Sequence, residues 1–275
     1  MNLYGYLSVL FIGDVVGTAA VDFLGESMPA MISQYAPDVI IINGENAHEG
    51  KGLDETDQQK FFGMGAHVVT TGNHVWENWK SKPILKSDPK VIRPYNYPDG
   101  NIGNGFYIVK ISDELQVAVV QLQGRTFMQA IDCPFRTGLE LVKELQLTTK
   151  NIVIDFHAEA SAEKMALGWH LDGKVSAILG THTHIQTADA QILKRGTAFI
   201  TDVGMTGPYN SVVGLRKDIA IKRAILQTAH KYELGVGDLK VSGCNVIINP
   251  NNGKALEINS FVFPEFRTKE ESNHE

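Results

Sequence analysis

Three features that mark particular protein classes are scarce in this chain of 275 residues. It has only two cysteines, Cys133 and Cys244, too few for a disulfide framework, so we expect reduced thiols. No apolar run approaches the roughly 18 residues of a membrane-spanning helix. The net charge is -6, so the chain lacks the basic excess of proteins that wrap long nucleic acids.

The remaining composition, 43% hydrophobic and 20% charged residues, is typical of a globular protein with a sizeable core. The first apolar run, residues 7–12, has the length of a strand and no basic flank before it, unlike a signal peptide. We therefore predict a cytoplasmic protein that binds neither a membrane nor a long nucleic acid. A small phosphate ester stays open as a ligand, because a metal can supply positive charge locally.

Short apolar runs alternate with longer amphipathic runs, which predicts an α/β layered fold. The predicted core strands are 7–12, 39–42, 68–70, 152–155 and 175–179, and the predicted helices are 21–35, about 55–64 and about 217–231. A hairpin is predicted at 106–111 and 116–121, a strand at 197–201, and strands at 241–248 and 255–263 around an Asn-Pro-Asn-Asn-Gly turn. We expect one domain over residues 1–266, followed by a flexible tail over 267–275.

Side chains that can bind metal follow each of the five core strands. In chain order they are Asp14, then Glu45 and Asn46, then Asn73 and His74, then His157, then His182 and His184. The carboxyl ends of parallel strands lie along one edge of a sheet, where ligands bind. We therefore expect these residues to converge in space.

The chemistry of this set points to transition metals. Carboxylate, imidazole and amide oxygen together suit Mn, Fe or Zn, whereas calcium favours oxygen ligands alone. The groups at these strand ends are too many for one ion but suit a bridged pair. Two metals about 3.5–4 Å apart can stabilise both the attacking and the leaving oxygen of a phosphoryl transfer. The sequence therefore predicts two divalent ions that support phosphoryl-transfer chemistry.

Single clusters also allow simpler interpretations. Asp14 could cap the following helix, and Glu45 and Asn46 could be ordinary turn residues. A purely structural interpretation fits His182 and His184 less well, because residues two apart on an extended segment face the same way. The other histidines follow no predicted strand and are interpreted as surface or core residues, namely His48, His67, His170, His230 and His274.

The clusters resemble the motifs of the calcineurin-like metallophosphoesterase superfamily. The matching segments are Gly13-Asp14, Gly72-Asn73-His74, His157 and Gly180-Thr-His-Thr-His184. The chain departs from that pattern at Glu45, which stands in place of an aspartate motif, and at Val75, which replaces an acid. No histidine lies two residues after Asp14.

These departures resemble one branch, the YmdB-type phosphodiesterases. The similarity runs through FIGDVVG at 11–17, NGENA at 43–47, RPYNYP at 93–98, DCPFRT at 132–137, DFHAEA at 155–160, LDGKVSAILGTHTHIQTAD at 171–189 and TDVGMTGP at 201–208. The resemblance implies a four-layer αββα sandwich, with two mixed sheets flanked by helices. It also implies a dinuclear iron or manganese site, with zinc as a further option. The implied substrates are small phosphodiesters, chiefly 2′,3′-cyclic and also 3′,5′-cyclic nucleotides.

The resemblance also implies roles for the individual residues. Asp14, Glu45, Asn46 and His184 would surround the first metal, and Glu45, Asn73, His157 and His182 the second. Glu45 would bridge the ions, a hydroxide held by the metals would attack phosphorus, and His74 would protonate the leaving oxygen. Glu159, Thr181 and Thr183 could orient the imidazoles, and Arg125 and Arg136 could clamp a phosphate.

Two other functions stay open at this point. The same scaffold could carry a phosphomonoesterase, because a fold does not determine its substrate. A regulatory protein that binds a nucleotide with little turnover is a further alternative, although it would not need His74. The residues that contact the nucleoside cannot be named from the sequence, which also leaves homo-oligomer formation open.

Overall fold

Strands and helices alternate through residues 5–266, the part of the chain that the computed structural model describes. The strands are β1 (Leu7–Ile12), β2 (Val39–Asn43), β3 (Val68–Thr70), β4 (Val91–Ile92), β5 (Phe106–Lys110), β6 (Gln116–Gln123), β7 (Ile152–His157), β8 (Ala177–Thr181), β9 (Gln191–Ile192), β10 (Ala198–Ile200), β11 (Gly207–Pro208), β12 (Leu239–Ile248) and β13 (Ala255–Phe263). The α-helices are α1 (Thr18–Tyr35), α2 (Glu55–Gly63), α3 (Ser81–Ser87), α4 (Pro134–Leu145), α5 (Ser161–Leu171) and α6 (Lys217–Leu226). The tail predicted at 267–275 lies outside the described residues.

The strands form two mixed sheets, as predicted. The first has the order β11-β12-β1-β2-β3-β4, with β13 paired to β12. Strands β1 to β4 are parallel to one another, and β12 runs antiparallel to β1. The second sheet has the order β5-β6-β7-β8-β10-β9, and its four inner strands are parallel. The parallel strands β1, β2, β3, β7 and β8 correspond to the five predicted core strands.

Alternation along the strands explains why the sheets stack. Val9 and Phe11 of β1 join Val119 of β6 in an apolar layer between the two sheets. Leu10 and Ile12, on the opposite face of β1, pack under the helices of the first sheet. Helices α4 and α5 cover the outer face of the second sheet. The result is the four-layer αββα sandwich that the resemblance implies.

Element ends differ from the prediction in ways that matter for function. Helix α1 begins at Thr18 and its N-cap is Gly17, so the interpretation of Asp14 as a helix cap is wrong. Helix α6 ends at Leu226 rather than near 231, because Gln227 adopts a left-handed conformation at φ 53°. Among residues 5–266, the helices are all too short or too polar to cross a membrane. Cys133 and Cys244 are both free thiols, as predicted.

The two sheets are tied together by a buried carboxylate near the ends of their parallel strands. Asp155 of β7 accepts hydrogen bonds from Asn43 Nδ2 of β2 at 2.9 Å and from Thr70 Oγ1 of β3 at 2.5 Å. Its other oxygen accepts from Thr181 Oγ1 of β8 at 2.7 Å. Four strands from two sheets therefore end beside one another, and the residues that follow them share one edge.

Candidate metal centre and active site

The seven predicted ligands lie together at this shared edge. Asp14 follows β1, Glu45 and Asn46 follow β2, Asn73 follows β3, His157 ends β7, and His182 and His184 follow β8. The strand β7 is longer than predicted, so His157 is its last residue rather than part of a loop. A strand end holds a side chain more firmly than a loop, and this fixes the most central residue of the group.

His157 lies at the centre of the first subgroup. Its Nε2 atom is 3.0 Å from His182 Nδ1, 3.1 Å from Asn73 Oδ1 and 3.6 Å from Glu45 Oε1. Two ring nitrogens and two oxygens that can donate lone pairs thus face a common space. This mixture of nitrogen and oxygen atoms is a donor set for a borderline divalent cation.

A second subgroup lies beside the first. Asp14 Oδ1 is 3.9 Å from His157 Nδ1 and also 3.9 Å from His184 Nε2. The amide nitrogen of Asn46 lies 3.2 Å from the same His184 Nε2. Asp14 uses its other oxygen to accept from the backbone N–H of His182 at 3.1 Å. The two subgroups are adjacent and are linked through Asp14 and His157.

Burial makes negative charge on the two carboxyl groups of the cluster costly unless a cation lies beside them. Asp14 and Glu45 are fully buried, and burial raises the pKa of both carboxyl groups. Asp14 Oδ1 and Glu45 Oε2 accept no hydrogen bond from the described residues. A buried carboxylate oxygen without a partner is costly, and a bound cation would compensate it. The residues therefore fit a cationic ligand.

The imidazoles show the complementary effect. Burial lowers the pKa of His157 well below its ordinary value. Burial, together with the neighbouring His184, lowers the pKa of His182 to about 4. Both rings are therefore neutral near neutral pH, which is the form that binds metals.

The partner of each ring determines which nitrogen faces the cluster. Thr181 donates its single hydroxyl hydrogen to Asp155, so its oxygen accepts from His157 Nδ1, 3.0 Å away. This leaves the lone pair of His157 on Nε2, the atom that faces the other ligands. Glu159 Oε2 lies 3.1 Å from His182 Nε2 and leaves Nδ1 of that ring for the cluster. Thr181 and Glu159 thus contact the imidazoles, as their positions in the sequence suggest.

The segment after β8 differs from its predicted geometry. His182 and His184 have φ values of 95° and 66°, so the segment is not extended and the predicted alternation does not explain why both face the cluster. Thr183 is also not an imidazole partner, because its N–H and hydroxyl donate to Asp202 Oδ2 at 3.1 and 2.7 Å. Lys164 Nζ lies 2.7 Å from that same oxygen in a buried ion pair. The left-handed turn is therefore held by Asp202, a contact far apart in sequence.

His74 occupies a different position from the predicted ligands. Its backbone N–H donates to Glu45, and its ring Nδ1 lies 2.8 Å from Glu77 Oε1. Burial lowers the pKa of His74, and the carboxylate of Glu77 partly opposes this shift. Since Glu77 engages Nδ1, Nε2 is the nitrogen available to a substrate. Glu77, which also pairs with Lys51, is absent from the predicted site, and its only sequence signal is its position three residues after His74.

A cavity of about 580 Å³ opens above the cluster and is lined in part by His74, His182 and His184. Arg125 and Arg136 are exposed and do not line it, so they do not clamp a phosphate in this cavity. The cations that line it are Lys51 and Arg223, which the sequence analysis does not single out. No motif marks these two positions, because the loop after β2 and helix α6 bring them to the cavity from distant parts of the chain.

A third group of metal-competent atoms lies apart from the predicted ligands. His48, Asp54 and Asp57 have ligand atoms within 4.8 Å of one another. Asp54 and Asp57 form the capping box of α2, which already uses their oxygens. Lys80 Nζ lies 3.1 Å from His48 Nε2 and 3.5 Å from Asp54 Oδ2, so an ammonium group already provides positive charge there. We interpret this group as a structural ion-pair network.

Gly72 offers a way to disturb His157 without changing a ligand. A Cβ atom at position 72 would lie 2.4 Å from Cδ2 and Nε2 of the His157 ring. We expect Gly72→Ala to displace the ring, and to lower metal content and activity by at least the roughly 10–100-fold typical of a lost outer contact. Elemental analysis and turnover of a diester measure both effects.

The matched control is Gly63→Ala, because a Cβ at position 63 meets no atom within 4 Å. This variant should keep its metal content and its activity. Wild-type metal content and turnover in Gly72→Ala would show that His157 tolerates displacement.

Two mixed sheets between layers of helices, with metal-competent residues along one edge, define an α/β fold of the metallophosphoesterase type. Residues 10–261 match the family described as YmdB-like protein, and the chain belongs to this family. The branch named in the sequence analysis is thereby confirmed. The family and the metal-competent side chains together favour divalent cations as ligands.

Individual relatives agree with this assignment. The chain is 44% identical over 252 residues to the 2′,3′-cyclic-nucleotide 2′-phosphodiesterase of Bacillus subtilis (strain 168), covering 92% of this chain and 95% of the relative. A crystal structure of a hypothetical protein from Thermus thermophilus superposes with a TM-score of 0.87 at 36% identity, covering 94% and 99% of the two chains. The crystal structure of a novel phosphatase from Mycoplasma pneumoniae also gives 0.87, at 28% identity, with 94% and 93% covered.

Proposed function

We propose that this protein is a dinuclear metal-dependent phosphodiesterase that hydrolyses small phosphodiesters. Its preferred substrates are 2′,3′-cyclic nucleotides, with 3′,5′-cyclic nucleotides as a second class. The observation that carries the proposal is the pair of buried carboxylates, Asp14 and Glu45, each with one oxygen that accepts no hydrogen bond from the described residues, beside neutral imidazoles. The activity named for the Bacillus subtilis relative supports the choice of substrate.

In this proposal the ligands divide into two sets that share Glu45. One set is Asp14, Asn46 and His184, and the other is Asn73, His157 and His182. Iron or manganese suits this mixture of carboxylate, amide and imidazole better than zinc. When bound, such ions supply positive charge to the phosphate and lower the pKa of water.

The residues of the chain supply the remaining steps. In its protonated form, which the carboxylate of Glu77 stabilises at Nδ1, His74 donates the proton on Nε2 to the leaving oxygen and becomes neutral. Lys51 and Arg223 add positive charge at the cavity that receives the phosphate. Glu159 and Thr181 keep the rings of His182 and His157 in one orientation. The side chains thus orient the substrate and transfer the proton that the leaving group requires.

A phosphomonoesterase is the second candidate function, and the named phosphatase among the structural relatives favours it. Charge distinguishes the two candidates. A monoester near neutral pH carries up to two negative charges, so a pair of cations binds it tightly in the ground state without lowering the barrier. A diester carries one charge and gains more as negative charge develops in the transition state.

We therefore expect kcat/KM to be higher for bis-nitrophenyl phosphate than for mono-nitrophenyl phosphate. We also expect the enzyme to hydrolyse 2′,3′-cyclic nucleotides readily, 3′,5′-cyclic nucleotides less readily and long nucleic acids poorly. Steady-state kinetics on this panel, with protein loaded with iron or manganese, tests the order. A monoester preference with inert cyclic nucleotides would support the phosphomonoesterase and leave the metal ligands unaffected.

A further inference from the structure

The cavity above the cluster has two unlike walls. One part of the lining includes His74 and three of the predicted ligands, Asn46, His182 and His184. A second, chemically different part of the lining consists of Lys51, Val213, Leu215, Arg223 and Tyr232. We call this second set the outer wall. It combines one aromatic ring, two apolar side chains and two cations, and its aromatic and apolar members have no role in the chemistry described above.

Tyr232 is held firmly in the outer wall. A Cβ atom at Gly50 would lie 2.9 Å from Tyr232 Cε1, so the ring packs directly on the backbone of Gly50. A Cβ at Gly214 would lie 3.8 Å from its hydroxyl oxygen. The ring is therefore wedged between two loops, yet 36% of the residue stays exposed. An aromatic ring that is fixed on one side and open on the other can stack against a planar ligand.

The outer wall also lies at a fixed position relative to the metal cluster. The carbonyl oxygen of Val213 lies 2.9 Å from His184 Nδ1. Leu215 and Val212 exchange backbone hydrogen bonds at 2.9 and 2.8 Å, which closes the turn that carries Val213. A ligand in the cavity can therefore contact His184 of the cluster and the outer wall at the same time.

The charges of the outer wall favour an electron-rich, planar ligand. Lys51 is neutralised by its ion pair with Glu77, whereas no carboxylate within residues 5–266 forms an ion pair with Arg223. A guanidinium group donates to ring nitrogens and carbonyl oxygens and stacks on π systems. Aromatic, apolar and guanidinium groups together are the usual environment of a nucleobase.

We propose that the outer wall is the nucleobase subsite, in which Tyr232 stacks on the base of the nucleotide while the phosphate lies at the metal cluster. This inference rests on the proposed function, because it assigns the other end of the same substrate. Tyr232 is a specificity residue, since it contacts the part of the ligand that does not react. It contributes to binding of the base and leaves the phosphate chemistry unchanged.

The experiment compares two substrates that differ only in the base. Adenosine 2′,3′-cyclic phosphate carries the base. Methyl riboside 2,3-cyclic phosphate has the same reacting cyclic phosphate but no base. Tyr232→Ala should raise KM for the nucleotide by about 5- to 150-fold, the range measured for loss of one stacked base. Its kcat, and its kcat/KM for the base-free ester, should stay at wild-type values. Tyr232→Phe should retain wild-type KM, because stacking needs the ring and not the hydroxyl.

Trp169→Ala is the matched control, since Trp169 is an exposed aromatic residue of α5 that does not line the cavity. Equal losses on both esters in Tyr232→Ala, or no loss on either, would overturn the subsite. Calorimetric titration with adenosine 3′-phosphate and with ribose 3-phosphate gives a readout independent of turnover. If wild type hydrolyses neither ester, the proposed function fails. The subsite is then tested by binding alone: Tyr232→Ala should weaken binding of adenosine 3′-phosphate but not of ribose 3-phosphate.

Discussion

Replacing Glu45 with glutamine is expected to abolish measurable diester hydrolysis and to lower the occupancy of both metal positions. Glu45 is fully buried, and one of its oxygens lies 3.6 Å from His157 Nε2 while the other accepts no hydrogen bond from the described residues. A neutral amide cannot supply the charge that a bridging ligand provides to two cations. The loss should therefore exceed the roughly 10–100-fold that removal of an outer partner costs.

Elemental analysis of protein purified without added metal measures occupancy directly. Wild type should contain close to two ions per chain, with iron or manganese ahead of zinc, because each of two subgroups offers a separate donor set. Glu159→Gln is the control, since Glu159 contacts the far side of the His182 ring and not the shared space. Near-normal turnover of Glu45→Gln with two ions bound would show that Glu45 does not bridge.

The convergence of the predicted ligands at one place could be inferred from the sequence because parallel strands end along one edge. Apolar runs end at or just before Asp14, Glu45, Asn73 and His157. The sequence alone indicates which of these runs are parallel strands. Their distance in sequence does not matter, because the sheets bring the strand ends together. The same reasoning identifies the two layers of strands but misplaces several ends by two to five residues.

The rest of the site depends on contacts that no local pattern encodes. Glu77 reaches His74 through a short 3-10 turn, and Arg223 and Tyr232 reach the cavity from helix α6 and the segment after it. The turn at His182 and His184 is held by Asp202, 18 residues or more away, and its left-handed backbone could not be read from an alternation rule. Residues with these roles follow no strand and have no spacing that marks them.

Replacing His74 with alanine should separate proton transfer from metal binding. His74 contacts Glu45 through its backbone N–H, which alanine retains, so the fold and the metal content should be preserved. In the proposed mechanism the ring supplies the proton, so its loss should lower kcat by about 10²–10⁴-fold, the usual scale for a general acid. Elemental analysis and kinetics on the same preparation test both statements, and loss of metal would instead identify His74 as a ligand.

Substrates with different leaving groups can show whether the ring of His74 donates a proton. A nitrophenolate departs with little need of a proton, whereas a ribose hydroxyl or an alkyl alcohol departs only as protonation proceeds. His74→Ala should therefore lose far less activity on bis-nitrophenyl phosphate than on a 2′,3′-cyclic nucleotide. Glu77→Gln should reproduce this pattern in weaker form, because Glu77 holds Nδ1 of the ring and its charge favours the protonated state that donates. Equal losses on both substrates in His74→Ala would mean that the ring only positions the phosphate and that the proton reaches the leaving oxygen by another route.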